Sequence, residues 1–256
     1  MFKDLETSLG RLIESGAVVA IKAELEAEGT RVDDLHKLAL LVARRGTDLA
    51  VKIGGCEALS DLRIAKEVQA RYIVAPMVES EFALSKFLTV IKKVYSYEEI
   101  SATNFAFNLE TKTTMGSFDQ IATLANGNLN GVVFGRTDYT SSLGIENSKI
   151  ETLEITADVM KAAKIARENG LEFTVGGSIS RKSVSNLIEI KGVALNRFET
   201  RKVVFNAECL FKPDVVDLIK LALDFELNWL KHKRQESTAI SLEDLERISK
   251  IENQIN

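Results

Sequence analysis

Two carboxylate side chains follow apolar runs of the sequence and could together bind a divalent cation. Glu110 ends the run FNLE, and Asp138 lies in the turn after GVVFG. Two carboxylates, with water and substrate oxygens as the remaining ligands, suit a hard ion such as Mg²⁺ or Mn²⁺. Each carboxylate could instead cap the helical segment after it, because a side-chain oxygen accepts hydrogen bonds from the first N–H groups of a helix. On the residues alone, both interpretations stay open.

The segment KAELEAEG, residues 22–29, places charged side chains at alternate positions at the end of an apolar run. Lys22, Glu24, Glu26 and Glu28 therefore share one face of a strand. That face could be wet in an antiparallel sheet, but in a parallel sheet covered on both sides its charges must face a polar cavity. We expect the segment to line such a cavity, with Lys22 and Glu24 deepest. A salt bridge between these two residues would also explain them structurally.

Short apolar runs alternate along the chain with segments of helical periodicity. This order predicts parallel strands joined by right-handed helical crossovers. Polar residues follow one run after another, as expected when loops at the carboxyl ends of the strands build one site. The sequence therefore predicts an α/β fold, a (β/α)8 TIM barrel, with an open doubly wound sheet as the alternative. Seven strands can be assigned and the eighth is expected in the N-terminal region; the seven lie at about residues 17–24, 48–54, 71–77, 102–110, 131–135, 172–177 and 192–198.

The C-terminal part of the chain differs in kind from the alternating part. It contains CLFKPDVVDLIKLALDFELNWLKHKR, a long amphipathic helical segment. We predict a barrel domain over residues 1–206 and a C-terminal helical extension over residues 207–256. The extension is expected to pack on the barrel or on a neighbouring subunit.

Composition excludes several classes of function. The net charge of −4 and the pI near 5.5 argue against nucleic acid as a partner. No segment has the apolar length of a signal peptide or membrane helix, so we expect a cytoplasmic protein without membrane contact. The chain has only two cysteines and two histidines, which argues against a disulfide framework and against Cys- or His-based metal sites. No glycine-rich nucleotide-binding motif is present.

The runs FNLETKTTMGSFDQI and LNGVVFGRTDYTSSLGI resemble the paired signature of the HpcH/HpaI aldolase and citrate lyase β-subunit family, whose members are pyruvate-type (β/α)8 barrels. IVAPMVESEFALSKF and LAVKIGG are similar to further strands of that family, over about residues 45–180 in all. The resemblance implies that Glu110 and Asp138 bind Mg²⁺ or Mn²⁺. It also implies that backbone N–H groups around Gly135, Arg136 and Thr137 bind the substrate carboxylate. In such enzymes a metal-held enolate forms next to the broken carbon–carbon bond.

Two departures from the family pattern affect the predicted chemistry. Lys52 stands where the family has an arginine near the substrate carbonyl; it keeps the charge but lacks the planar two-pronged geometry. The family's aldolases carry a histidine in the loop that corresponds to KAELEAEG, which has none. Glu26 or Glu28 could act as the acid–base group if burial raised its pKa. We also expect Lys22 to contact the substrate.

The leading interpretation is a metal-dependent carbon–carbon lyase or aldolase that acts on a small pyruvate-like oxo acid. A homo-oligomer is expected, because related proteins form rings. Three alternatives stay open. One is an aldolase that forms a Schiff base through Lys22 or Lys52. The others are a lyase for CoA thioesters of the citryl or malyl type and a non-catalytic binding or scaffold barrel.

Overall fold

The computed structural model describes residues 2–236 and 242–255 of the chain. Within these residues, eight strands close into a barrel in chain order, so the predicted α/β TIM-barrel fold is confirmed. The strands are β1 (Val18–Glu24), β2 (Asp48–Lys52), β3 (Tyr72–Ala75), β4 (Asn104–Leu109), β5 (Gly131–Gly135), β6 (Glu172–Gly176), β7 (Arg197–Glu199) and β8 (Val203–Asn206).

Helices surround the barrel and cover the outer faces of its strands. They bury an outer apolar layer to which every strand contributes. The helices are α1 (Phe2–Glu14), α2 (Val32–Arg44), α3 (Leu59–Glu67), α4 (Glu81–Val94), α5 (Tyr97–Ala102), α6 (Lys112–Gly116), α7 (Phe118–Ala125), α8 (Arg136–Ser142), α9 (Leu153–Glu168), α10 (Val184–Val193), α11 (Val215–Glu236) and α12 (Leu242–Ile255).

The eighth strand corrects one expectation. The N-terminal region forms helix α1, and the eighth strand is instead β8, directly after β7. Each pair of consecutive strands from β1 to β7 is parallel, whereas β8 is antiparallel to both β7 and β1. Only residues 200–202 separate β7 from β8, which is too short for the helical crossover that a parallel strand needs. These three residues form a hairpin loop at the carboxyl end of β7.

Side chains alternate between the outer apolar layer and the barrel interior. On β1, Ile21 and Ala23 are fully buried in the outer layer, while Lys22 and Glu24 point inward. At the other end of the barrel, the Arg197 guanidinium lies 5.2 Å from the centre of the Tyr72 ring. This pair lines a small space of about 40 Å³, separate from the cavity at the carboxyl ends of the strands.

The two C-terminal helices pack together and against the barrel. Helix α11 packs on α1 and on α12. The Arg247 guanidinium on α12 binds both carboxylate oxygens of Glu226 on α11, at 2.6 and 2.8 Å, and Glu226 is fully buried. This ion pair fixes α12 beside the carboxyl ends of the strands. The domain division at residue 206 stays a prediction. None of the described helices combines the length and apolar character needed to cross a membrane.

Candidate active site

An open cavity of about 670 Å³ lies at the carboxyl ends of the strands. Its walls come from β1, β2, β4, β5, β6, β7 and the hairpin loop, and α12 borders it on the outside. All predicted site residues except Glu28 and Arg136 line this cavity: Lys22, Glu26, Lys52, Glu110, Gly135, Thr137 and Asp138.

Glu110 is held in a defined orientation directly after β4. Its Oε1 accepts a hydrogen bond from the Met77 N–H at 2.9 Å, and its Oε2 accepts one from Asn108 Nδ2 at 2.7 Å. Met77 has φ near +50°, a conformation that non-glycine residues adopt at an energetic cost. The Lys52 ammonium group lies 3.6 Å from Glu110 Oε2. The Glu110 carboxylate is therefore fixed from both sides and cannot rotate freely.

Asp138 lies beside Glu110, in the first turn of α8. Partial loss of water raises the pKa of Asp138, and the negative charge of Glu110 raises it further. Gly135 lets Glu110 pack against the residue that precedes α8, because a Cβ there would lie 2.9 Å from the Glu110 Cβ. The two carboxylates repel each other, and a bound cation would remove that repulsion.

Lys22 is the centre of a buried ion network below the carboxylate pair. Its ammonium group binds Glu199 Oε1 and lies 3.1 Å from Glu24 Oε1, so the salt bridge considered for Lys22 and Glu24 is present. Burial opposes the charge on Lys22, but Glu199 and Glu24 outweigh it and raise its pKa. Burial likewise opposes the charge on Glu24, yet Lys22, Lys52 and Arg201 lower its pKa to about 2. Lys22 and Glu24 therefore both remain ionised at neutral pH.

The inner part of the cavity carries more negative than positive charge and suits a hard cation. Asn108 Oδ1 is buried there without a hydrogen-bond partner. No group of three or more His, Cys, Asp or Glu side chains within residues 2–236 and 242–255 could hold a metal. A cation at Glu110 and Asp138 would therefore take its other oxygens from water or substrate. The carboxylates of Glu24, Glu110, Asp138 and Glu199 face the ammonium groups of Lys22 and Lys52.

The Arg136 side chain does not reach the cavity, and the prediction that residue 136 binds substrate concerns its backbone N–H group alone. Its Nη2 donates to Gly177 O at 2.9 Å and its Nη1 to Glu151 Oε2 at 3.0 Å, and the residue is 1% exposed. Burial lowers the pKa of Arg136 against the opposing charge of Glu151. The Arg136 side chain thus holds the loop after β6 in place.

The backbone of residues 136 and 137 remains a candidate for binding the substrate carboxylate. Gly177 has φ near +90°, and a Cβ there would lie 2.6 Å from Thr137 N and 2.9 Å from Arg136 N. Only a residue without a side chain fits there, because Gly177 packs directly against both backbone nitrogens and against Thr137 Oγ1. A negatively charged group beside these donors would be stabilised by hydrogen bonds.

The two glutamates expected to transfer protons have different surroundings. Glu28 lies outside the cavity: its Oε2 binds the Lys202 ammonium group, and its Oε1 lies 3.4 Å from Arg201 Nε. Glu28 therefore joins the loop after β1 to the hairpin loop. Glu26 lines the cavity but is exposed at its rim, so the burial required for the predicted role is absent.

Several cavity residues were not predicted as functional. Asn108 and Glu199 are close to Glu110 and Lys22, and the period-two alternation of NFAFNL and NRFET could have placed both inside the barrel. Arg247 and Lys250 reach the cavity from α12. No sequence signal indicates this, because α12 lies far along the chain from every strand.

The family model of the HpcH/HpaI aldolase/citrate lyase family matches residues 21–175, a segment that includes Lys52, Glu110 and Asp138. The chain belongs to this family. Membership in a family of aldolases and citrate lyases supports a carbon–carbon lyase. A search of curated protein sequences finds no match.

Solved structures of the HpcH/HpaI family share the fold. An HpcH/HpaI aldolase from Desulfitobacterium hafniense DCB-2 has a TM-score of 0.61 and 13% identity, covering 75% of this chain and 81% of that one. A family protein from Burkholderia cenocepacia J2315 has a TM-score of 0.63 and 11% identity, covering 76% and 83%. A citrate lyase from Burkholderia xenovorans LB400 has a TM-score of 0.56 and 12% identity, covering 91% and 81%. These identities show similarity of fold alone.

Proposed function

We propose that the protein is a divalent-metal-dependent carbon–carbon lyase or aldolase acting on a pyruvate-like oxo acid. The observation that carries the proposal is the pair of adjacent carboxylates, Glu110 and Asp138: partial burial and then the charge of Glu110 raise the pKa of Asp138. A bound Mg²⁺ or Mn²⁺ would supply a Lewis acid that stabilises negative charge on substrate oxygens. Homo-oligomerisation and a cytoplasmic location remain predictions.

The chain's own residues would orient the oxo acid and balance its charge. Met77 and Asn108 fix the Glu110 carboxylate, and Lys52 adds a positive charge within 3.6 Å of it. The backbone N–H groups at the start of α8, at Arg136 and at Thr137 on the cavity wall, would bind the substrate carboxylate. These donors are fixed before substrate arrives, so little reorganisation opposes charge development.

Proton transfer would fall to a carboxylate rather than to a histidine. His36 pairs with Glu67, and neither His36 nor His232 is among the residues that line the cavity. Of the two glutamates considered, only Glu26 lines the cavity, and it would act through water from the rim. We therefore propose that Glu26 transfers protons through water without the burial that the sequence-based prediction required, and that Glu28 is a structural residue.

The Schiff-base alternative is disfavoured for Lys22. Glu199 and Glu24 raise the pKa of Lys22 although burial opposes them, so its nitrogen stays protonated and is not a nucleophile. Lys52 can be tested by borohydride trapping in the presence of pyruvate. A trapped adduct at Lys52 and full activity in chelator would favour the Schiff-base mechanism over the metal mechanism.

A lyase for CoA thioesters is the second candidate, because a second cavity adjoins the first. It measures about 530 Å³, and Ser178, Leu223 and Gln254 line both cavities. Arg181 and Lys220 also line it, so an extended thioester arm with negative charges would find both room and cations there. This candidate would be supported if CoA competes with acyl-CoA substrates for binding and if this competition is weaker in the Lys220→Ala variant.

Calorimetry tests the leading proposal. Mn²⁺ binding, and pyruvate binding with and without Mn²⁺, are measured on the native protein, Glu110→Gln and Asp138→Asn. Oxaloacetate decarboxylation is followed on the same samples. Glu57→Gln is the control, because Glu57 lies on an exposed surface and pairs with Lys86 at 3.2 Å.

We expect both cavity variants to lose Mn²⁺-dependent pyruvate binding and turnover, by at least about tenfold for each lost ligand. The control variant should behave as the native protein. If the native protein binds neither Mn²⁺ nor pyruvate, the lyase proposal is wrong and the non-catalytic binding barrel takes its place.

A further inference from the structure

Basic side chains from two distant parts of the chain meet at the mouth of the cavity. Arg201 lies on the hairpin loop between β7 and β8, and Arg247 lies on α12. Both are anchored: Arg201 Nε lies 3.4 Å from Glu28 Oε1, and Arg247 binds the buried carboxylate of Glu226 at 2.6 and 2.8 Å. Their guanidinium groups are therefore fixed beside the opening.

Lys250 joins these two arginines from the next turn of α12 and lines the same cavity. It is exposed, and it forms no ion pair with any residue in the part of the chain that the structure describes. Partial loss of hydration lowers the pKa of the Lys250 ammonium group, and the positive charges of Arg247 and Arg201 lower it further. Three cations thus repel one another at the opening, and an anion between them would be attracted to all three.

The two ends of the cavity consequently differ in charge. The inner end carries the carboxylates of Glu110 and Asp138, whereas at the outer end three cations, Arg201, Arg247 and Lys250, outnumber the two exposed carboxylates of Glu26 and Glu246. A substrate whose oxo-acid end lies at the carboxylate pair would extend its other end toward the cations. Charge complementarity of this kind discriminates among partners more than it adds to total affinity.

We infer that Lys250, together with Arg201 and Arg247, forms an anion subsite for a carboxylate or phosphate group at the far end of the substrate. This inference rests on the proposed function and specifies its substrate class: the aldehyde or acyl partner of the oxo acid carries a terminal negative charge. The three cations lie outside residues 21–175, the segment that matches the family model. The subsite would thus distinguish this chain's substrate by means of its own C-terminal helix.

Anion binding tests the subsite without requiring turnover. Glutarate and inorganic phosphate are titrated by calorimetry into the full-length protein with chelator present, so that no metal contributes. Lys250→Ala is compared with Lys231→Ala, a matched control that removes one lysine from α11. Lys231 pairs with Glu252 at 3.1 Å and does not line the cavity. The control therefore also reports any effect of loosening the contact between α11 and α12.

We expect at least one of the two anions to bind, with affinity weakened about tenfold or more in Lys250→Ala and by less than about twofold in Lys231→Ala. Preference for glutarate or for phosphate identifies the anionic group. The inference is overturned if neither anion binds the native protein, or if the two lysine variants weaken binding equally.

A second measurement separates this inference from the proposed function. Hydrogen–deuterium exchange of the pyruvate methyl group, measured on the native protein with Mg²⁺, reports enolate formation without an acceptor. Aldol addition then compares 5-oxopentanoate with pentanal, two acceptors of equal length that differ in charge. If exchange occurs and Lys250→Ala loses the preference for the charged acceptor, both proposals stand.

The remaining outcomes show which proposal is wrong, the lyase function or the anion subsite. Exchange without a Lys250-dependent preference overturns the subsite and leaves the lyase. Anion binding that depends on Lys250, in a protein that catalyses no exchange, keeps the subsite and overturns the lyase.

Discussion

Replacement of Lys22 by methionine would leave the deepest carboxylates of the barrel without their main cation. The Lys22 side chain is 8% exposed and lies 3.1 Å from Glu24 Oε1, in addition to its bond with Glu199. Removal of one partner from a buried ion pair costs about 3–5 kcal/mol, because the remaining charge is uncompensated. Methionine keeps the unbranched, flexible shape without the charge. We therefore expect Lys22→Met to lower the free energy of unfolding by about 3–5 kcal/mol at pH 7.

The size of this loss should depend on pH. In the native protein burial opposes ionisation of Glu24, but Lys22 and other cations lower its pKa from 4.5 to about 2. A lowered pKa stabilises the folded state above the unfolded-state value, and this stability is lost as the pH falls toward 2. The difference corresponds to about 3 kcal/mol. In the variant the buried carboxylates protonate at higher pH, so the two proteins should differ less at pH 4 than at pH 7.

Urea unfolding followed by circular dichroism at pH 7 and pH 4 measures both effects. Lys161→Met, on an exposed position of α9, is the control and should change stability by less than about 0.5 kcal/mol. Adding Glu199→Gln to Lys22→Met should restore part of the loss, because it removes one uncompensated carboxylate. A loss below about 1 kcal/mol at pH 7, or equal losses at both pH values, would refute the reasoning.

Three further predictions concern the loops around the cavity. Asp138→Asn should stabilise the metal-free protein by about 1 kcal/mol, because it removes repulsion from Glu110. Thermal melts of this variant should show no stabilisation by Mg²⁺. Since the pKa of Asp138 is raised, the metal-free native protein should lose stability as the pH rises through that pKa, and the Asn variant should not. Gly177→Ala should lower the free energy of unfolding, measured in urea, by more than about 2 kcal/mol. Gly192→Ala should raise it by about 0.5–1 kcal/mol, because the new Cβ would point into open space on helix α10. Arg136→Lys should lower the free energy of unfolding by about 2–4 kcal/mol in the same assay, because one ammonium group cannot replace both NH₂ groups of the buried guanidinium. An unchanged urea midpoint would contradict this.

The parts of the fold that follow from local periodicity could be predicted from the sequence. The two-residue alternation of KAELEAEG placed Lys22 and Glu24 inside the barrel, because strand geometry alone decides which face a side chain occupies. Strand β8 could not be predicted in this way, because the parallel pattern led us to expect a crossover and the chain instead turns back after three residues. Arg136 follows a strand like the other rim residues, but α8 begins there, and its side chain turns toward Glu151.

The positions of Glu28 and α12 depend on contacts between distant parts of the chain. The alternation of KAELEAEG predicted that Glu28 shares a strand face with Lys22, but β1 ends at Glu24, and Lys202 and Arg201 of the hairpin loop bind Glu28 outside the cavity. Neither contact leaves a trace in the sequence around Glu28. The same limit applies to Lys250, whose place at the opening is set by the packing of α12 on α11.

The antiparallel direction of β8 is what allows the outer end of the cavity to be basic. A helical crossover after β7 would carry the chain away from the rim, whereas the hairpin keeps Arg201 at the opening and Lys202 directly behind it. Because β8 then runs back along the barrel, the chain continues into α11, and α12 returns to the opening with Arg247 and Lys250. The proposed reaction chemistry therefore resides in β2, β4 and the start of α8, and the proposed specificity in the hairpin and α12. Substitutions at the outer cations should accordingly change which acceptor is used before they change whether pyruvate is activated.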